Sequence, residues 1–319
     1  MAPLLRLAPG LSLALSLAAC RPATPPLPEV RVFATVSEAG AKTLVGLAAA
    51  RGVARVTLVA GGPVAADLAW LGDPSEAAEA AADLVAGAGP AQPGVAVRWK
   101  DPAGRFVPLC ARARVLVVAP RAGLEPRPEG LRDLADRRLA GRQALATLSQ
   151  GLGPVTVAAL SLVHGEPGIR AFLDLVAKNR PRIAGTDDEV RVLVAGGAAA
   201  FGLTGSEEAA AGALSAAALE VVYPDQRGSG TVILPTAVAL TTAGAGSGPA
   251  RMLLAWMSGE EAERLLAARA PGYLPLRSGV PVPLGVRPAD NVRSPALDWD
   301  RLAAAKRRLA KYLEGWPSP

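Results

Sequence analysis

From Val30 onward the chain alternates short β-branched runs with alanine-rich stretches of helical period, and this alternation most narrows the folds open to it. Residues 30–34 and 56–60 read as strands, the second ended by Gly61-Gly62-Pro63, and 38–50 between them reads as a helix. Asp73-Pro74-Ser75-Glu76 is a helix start: Asp or Ser caps, Pro suits the first turn, and an acidic side chain favours the dipole. The alanine-rich run to Val85 continues that helix. Further strands are expected at 115–119, 144–147, 199–203, 221–223 and 231–234. Helices are expected at 154–163, 168–178, 187–194, 207–219, 249–257, 260–270 and 299–313. Such alternation packs as α/β layers. A chain of 319 residues, 50% hydrophobic, suffices for roughly two domain-sized units.

The N-terminus has a different logic. Arg6 is its one charged side chain, an apolar stretch runs from Leu11 to Leu17, and Leu17-Ala18-Ala19-Cys20 follows, which is the order of a secretory signal over residues 1–19. The tetrapeptide resembles the lipobox of bacterial lipoproteins, so cleavage before Cys20 would leave a thiol placed to carry lipid; a cut elsewhere in the leader stays open. Residues 20–29, with four prolines between Arg21 and Pro28, read as an extended tether. With Cys20 carrying lipid, only Cys110 remains in the mature domain, which excludes an intramolecular disulfide.

The formal net charge is +6, and the segment from Arg98 to Arg142, with eleven basic and five acidic residues, carries the whole surplus. Aromatic residues amount to 4%, which argues against nucleic acid, where bases stack on aromatic rings among the cations. An enzyme is equally poorly supported. The chain has one histidine, His164, no Gly-x-Ser-x-Gly elbow, no phosphate-binding Walker loop and no Cys/His zinc spacing.

Several segments in order resemble type II periplasmic solute-binding proteins, in the branch related to ferric-iron binding proteins. They are Trp99-Lys100-Asp101-Pro102-Ala103-Gly104-Arg105-Phe106-Val107, Ala111-Arg112-Ala113-Arg114-Val115-Leu116-Val117, Leu131-Arg132-Asp133-Leu134, Gly202-Leu203-Thr204, Val221-Val222-Tyr223-Pro224-Asp225-Gln226, Leu234-Pro235-Thr236 and Leu274-Pro275-Leu276-Arg277. The resemblance implies a two-lobed α/β fold with a hinge and an interlobe ligand cleft. Lobe one would comprise 30–115 with 228–319, and lobe two 116–227. It implies a monomeric, exported protein that passes a small-molecule or metal-ion solute to an ABC permease and its ATPase, tied to the membrane through its lipid anchor. No resident cofactor is expected; ferric iron or another metal would be cargo. A scaffold or sensor lipoprotein of the same fold is the other reading. Gly228-Ser229-Gly230 reads either as a flexible return crossing or as a surface turn.

In such a cleft, ligand groups belong at strand ends and helix N-termini, where free N–H groups and the dipole favour anions. Thr35 and Ser37, Asp73, the turn Ser149-Gln150-Gly151 with Thr156, and Thr204-Gly205-Ser206 qualify; each hydroxyl reads equally well as an ordinary helix cap. By the resemblance, the iron ligands of relatives fall on Ser37, Asp73, Glu207 and Glu208, of which only the carboxylate at Asp73 keeps the relatives' chemistry. Two ligand classes follow. One is an organic anion held by hydroxyls, helix N-termini and Arg112, whose planar fork suits carboxylate or phosphate. The other is a hard cation on Asp73, Glu207 and Glu208. Tyr223 and Tyr273 are expected away from the site.

Overall fold

The computed structural model describes residues 26–215, 218–283 and 286–317. The export signal and Cys20 lie outside them. The chain begins with β1 (Glu29–Ala34), α1 (Glu38–Ala50), β2 (Arg55–Val59), β3 (Leu68–Leu71) and α2 (Pro74–Glu79). It continues through β4 (Val107–Val118), β5 (Gln143–Ala146), α3 (Gly153–His164), α4 (Glu166–Lys178) and β6 (Arg182–Ala184). Then come α5 (Asp187–Ala195), β7 (Phe201–Gly205), α6 (Ser206–Ala213) and β8 (Glu220–Val222). β9 (Ile233–Leu240), α7 (Gly248–Met257), α8 (Glu260–Arg269) and α9 (Trp299–Glu314) complete it.

The strands join in the order β2-β1-β3-β9-β4-β7-β5-β6, with β8 also beside β4. β1 is parallel to β2 and β3, and β5 is parallel to β6 and β7, so each end of the array is built from crossover connections. The long strand β4 belongs to both ends: residues 107–113 pair with β9 and 114–118 with β7, both antiparallel. It is the hinge strand of a two-lobed α/β fold. Around the first lobe Val30, Val32, Leu68 and Trp70 pack against Leu44, Leu254 and Met257. The second buries Val115, Val117, Phe201 and Leu145 in one core, with α5 packed on their strands. Full burial of each such side chain is worth about 1.5–3 kcal/mol. α9 packs mainly on α3 and also on α2, and so lies across both lobes.

Several elements differ from the sequence expectation, for local reasons. β4 starts at Val107 rather than 115, because Arg112 and Arg114 break the apolar run without breaking the strand. β9 continues to Leu240 through Pro235. The donor that Pro235 lacks is bypassed, since the facing Ala111 exchanges both backbone bonds with Leu274 instead, each 2.8 Å. The helix begun at Pro74 stops at Glu79 instead of Val85, and Leu84 bridges to Thr241. β3 and β6, four and three residues long, lie outside the expected strands.

The return crossing at Gly228-Ser229-Gly230 is braced. Thr231 N donates to Arg293 O at 2.9 Å, the Gln226 amide bridges Thr231 and Arg293, and a Cβ on Gly230 would collide with the Arg293 backbone. Among the described residues no helix is long and apolar enough to cross a membrane.

Candidate functional site

The expected residues from the two lobes converge where β4 passes between them. On the first lobe, β1 runs into Thr35 and Ser37, and Ser37 caps α1 by accepting Gly40 N–H at 3.2 Å. β3 runs into Gly72 and Asp73, and Asp73 caps α2 through Ser75 N–H at 2.8 Å. On the second lobe, β7 ends in Thr204 and Gly205, and Ser206, Glu207 and Glu208 form the first turn of α6.

Arg112 stands at the centre, 8% exposed. Its Nη2 donates to Gly72 O at 2.6 Å and its Nη1 to Glu207 Oε2 at 3.4 Å, while its Nε–H is buried without a partner. Burial opposes its charge, but Glu207, Tyr273, Asp73 and Glu208 outweigh that cost and hold the guanidinium more firmly protonated than usual. Ser37 Oγ donates to Glu207 Oε1 at 2.6 Å and lies 3.2 Å from the Tyr273 hydroxyl. Tyr273, expected elsewhere, is therefore part of the site. Gly40 makes room for it, because a Cβ there would overlap the phenol oxygen.

The lobes also meet through backbone. Ser206 Oγ donates to Gly272 O at 2.6 Å and accepts Ala113 N–H at 3.0 Å. Gly272 has φ +100°, and any side chain would strike the Ser206 carbonyl and Glu207 Cα, so only glycine permits this approach.

Residues not foreseen surround this core. Glu76 takes a hydrogen bond from Thr35 Oγ1 and faces Asp73. Lys306 of α9 reaches Glu79 at 3.1 Å and Ser75 at 3.4 Å. Arg114, two residues along β4 from Arg112, pairs with Asp187 at 2.6 Å. Arg114 Nε, Asp187 Oδ1 and Glu208 Oε2 are also buried without hydrogen-bond partners. Two arginines at alternate positions in an apolar strand were the available signal, since buried charges persist only where partners meet them.

Among the described residues no group of three or more His, Cys, Asp and Glu is arranged to hold an ion. Asp73 is occupied by the α2 N-terminus and Glu207 by Ser37 and Arg112, so the cation among these acids is a guanidinium. The turn at Gln150 and Gly151 is exposed or nearly so, and Thr156 is buried with its hydroxyl spent on Leu152 O of its own helix at 2.5 Å. Thr204 Oγ1 likewise bonds Asp187 O at 2.8 Å. Both threonine hydroxyls are thus engaged within their own lobe.

Two carboxyls here are unusual. Burial, then the neighbouring Asp73, lifts Glu76 to about 7; burial, then Glu207 and Asp187, lifts Glu208 to about 7. The folded state therefore keeps these protons after the unfolded chain, titrating near 4.5, has lost them. Their contribution to stability is full below about pH 4.5 and is lost as pH rises toward 7. Surface acids such as Asp67, lowered by its hydrogen bond from Arg31, act in the opposite sense at lower pH. The melting temperature is expected to fall between pH 4.5 and 7, and to fall less in Glu76→Gln. Equal slopes in the two proteins would remove Glu76 from the buried acid pair.

The family described as bacterial extracellular solute-binding protein matches residues 32–272. A search of curated protein sequences gives no match. Among solved structures, the apo ferric ion-binding protein A of Pasteurella haemolytica superposes with a TM-score of 0.78 at 19% identity, over 90% of this chain and 96% of that one. The ferric binding protein of Campylobacter jejuni gives 0.77 at 15%, over 90% and 100%. The periplasmic binding protein AfuA of Actinobacillus pleuropneumoniae, with fructose 6-phosphate bound, gives 0.76 at 14%, over 90% and 98%.

Proposed function

The chain belongs to the bacterial extracellular solute-binding proteins, a family of binding proteins and not of enzymes, and we propose that it captures a small hydroxylated organic anion between its lobes. Residues 30–115 with those from 228 onward form one lobe and 116–227 the other, with α9 lying across both. The solute passes to an ABC permease and its ATPase, and Cys20 carries the lipid that keeps the protein at the membrane.

The observation that carries this reading is Arg112, a buried guanidinium at the seam with an unpaired Nε–H and the hydroxyls of Ser37 and Tyr273 close by. An arginine fork binds carboxylate or phosphate in two parallel bonds. Glu208 Oε2, buried and unpartnered, offers an acceptor to a hydroxyl of the same solute. Ferric iron, the ligand named for several similar structures, would need oxygen donors that are here engaged with one another or with Arg112. AfuA, crystallised with a sugar phosphate, is a relative whose ligand matches the proposed chemistry. Closure follows as a population shift, because both lobes touch the solute only when closed.

A scaffold or sensor without transport is the second reading, favoured by the carboxylate of Glu207 already filling part of the seam. A thermal-shift screen with hexose phosphates, citrate, inorganic phosphate and ferric citrate separates these readings. An organic anion at a hundredfold its Kd should stabilise the fold by about 2.7 kcal/mol, whether or not a chelator is present. A rise seen with iron alone and abolished by chelator would overturn the anion reading, and no rise with any compound would favour the scaffold.

A further inference from the structure

We infer that Glu207 is a built-in stand-in for the anionic group of the solute: its carboxylate bridges Ser37 and Arg112 across the seam, and solute binds by displacing it. This rests on the reading of the site as an anion cleft.

The geometry is that of an occupied anion site whose occupant belongs to the protein. Glu207 comes from the second lobe, in the first turn of α6, and its partners come from elsewhere: Ser37 from the end of β1 and Arg112 from the hinge strand. Each carboxylate oxygen takes one of them, Oε1 the Ser37 hydroxyl at 2.6 Å and Oε2 the Arg112 Nη1 at 3.4 Å. The second contact is long and single, whereas a well-seated carboxylate meets a guanidinium in two bonds of about 2.7–2.9 Å. Glu207 is thus a weak occupant of a strong site. Nη2 is held on Gly72 O, which leaves Nη1, met only by the long Glu207 contact, as the donor an incoming anion would take over.

The reach of Glu207 is limited by its backbone. The close packing of Gly272 on Ser206 and Glu207 Cα fixes the start of α6, so the carboxylate reaches Arg112 by its side-chain torsions alone. A free anion has no such restraint. The Ser37 hydroxyl would transfer from Glu207 to the solute, and Glu207 would turn outward.

This arrangement penalises ligands that cannot outcompete an internal carboxylate. Neutral sugars gain nothing on Arg112, whereas phosphate and carboxylate groups do. The apparent Kd is the intrinsic Kd divided by the fraction of protein that is not self-occupied.

The test uses the full mature chain as wild type, Glu207→Ala and Glu207→Gln, each checked for folding by far-UV circular dichroism; if the alanine variant does not fold, the glutamine variant carries the same readouts. Small-angle scattering without added solute should show a larger radius of gyration in the variants, since Arg112 loses its bridge. Calorimetry with fructose 6-phosphate, citrate and inorganic phosphate should show tighter binding, by roughly tenfold if nine molecules in ten are self-occupied. Weaker binding of a probe by the variants would overturn the proposal, because it would make Glu207 a contact of the solute. So would a radius of gyration unchanged from wild type. If no probe binds any of the three proteins, the anion reading fails, and the scattering still decides whether Glu207 bridges the lobes.

Discussion

Arg112→Ala should abolish binding of the organic anion and destabilise the protein by about 3–5 kcal/mol, the cost of leaving a buried charge without its partner. The guanidinium is 8% exposed and is the opposite charge nearest Glu207. Its removal also strips the donor from Gly72 O, which closes the turn between β3 and α2. Glu207, Asp73 and Glu208, all of which favour the guanidinium charge, would then lose it, with Lys306 remaining beside Asp73. Arg112→Lys keeps the charge but loses the planar fork. It should recover part of the stability and little of the affinity, because one ammonium cannot make two parallel bonds to an anion. Urea unfolding and calorimetry on both variants check this. A loss below about 1 kcal/mol in the alanine variant, the range of exposed pairs, would mean the seam is wet and the pair weak.

The second large effect lies behind the site. Glu263 on α8 is 0% exposed and pairs with Arg277, 6% exposed, at 2.5 Å. Glu263 also accepts the backbone N–H groups of Leu276 and Arg277, and Arg277 donates to Ser258 O at 2.6 Å and to Pro93 O at 3.2 Å. This closed network ties down the segment that carries Gly272 and Tyr273 into the seam. Glu263→Ala should cost about 3–5 kcal/mol, since it leaves a buried guanidinium and two backbone donors unsatisfied. Arg277→Ala should cost about as much, and the double variant less than the two added together, because each single change already orphans the same partners. Additive losses in a double-mutant cycle would show that the two side chains act independently.

Glu263 and Arg277 were legible only in part. The segment from Leu274 to Arg277 stood out as a family landmark, but nothing in it announced a buried ion pair with Glu263, 14 residues earlier on α8. The site shows the same division. Ser37 and Asp73 could be found because a cap needs only a short polar side chain just before a periodic run, and both do cap their helices. That Ser37 also holds Glu207, 170 residues away, and meets Tyr273, 236 residues away, is encoded in no local pattern. The same holds for Asp73, Glu207 and Glu208: only the pairing of distant segments sets Arg112 beside them.

What neighbouring residues can specify, the sequence by itself determined: the α/β alternation, the export signal as an expectation, and most helix starts. Each depends on side-chain period, turn chemistry or capping within a few positions of the chain. Only the tertiary structure decided that β4 runs unbroken through two arginines and joins both lobes, and that Tyr273 enters the seam. It also decided that the Arg112 guanidinium sits among the acids. Those outcomes turn on which distant segments pair with β4 and in what register, and a buried charge is stable only against the partner that this pairing brings to it.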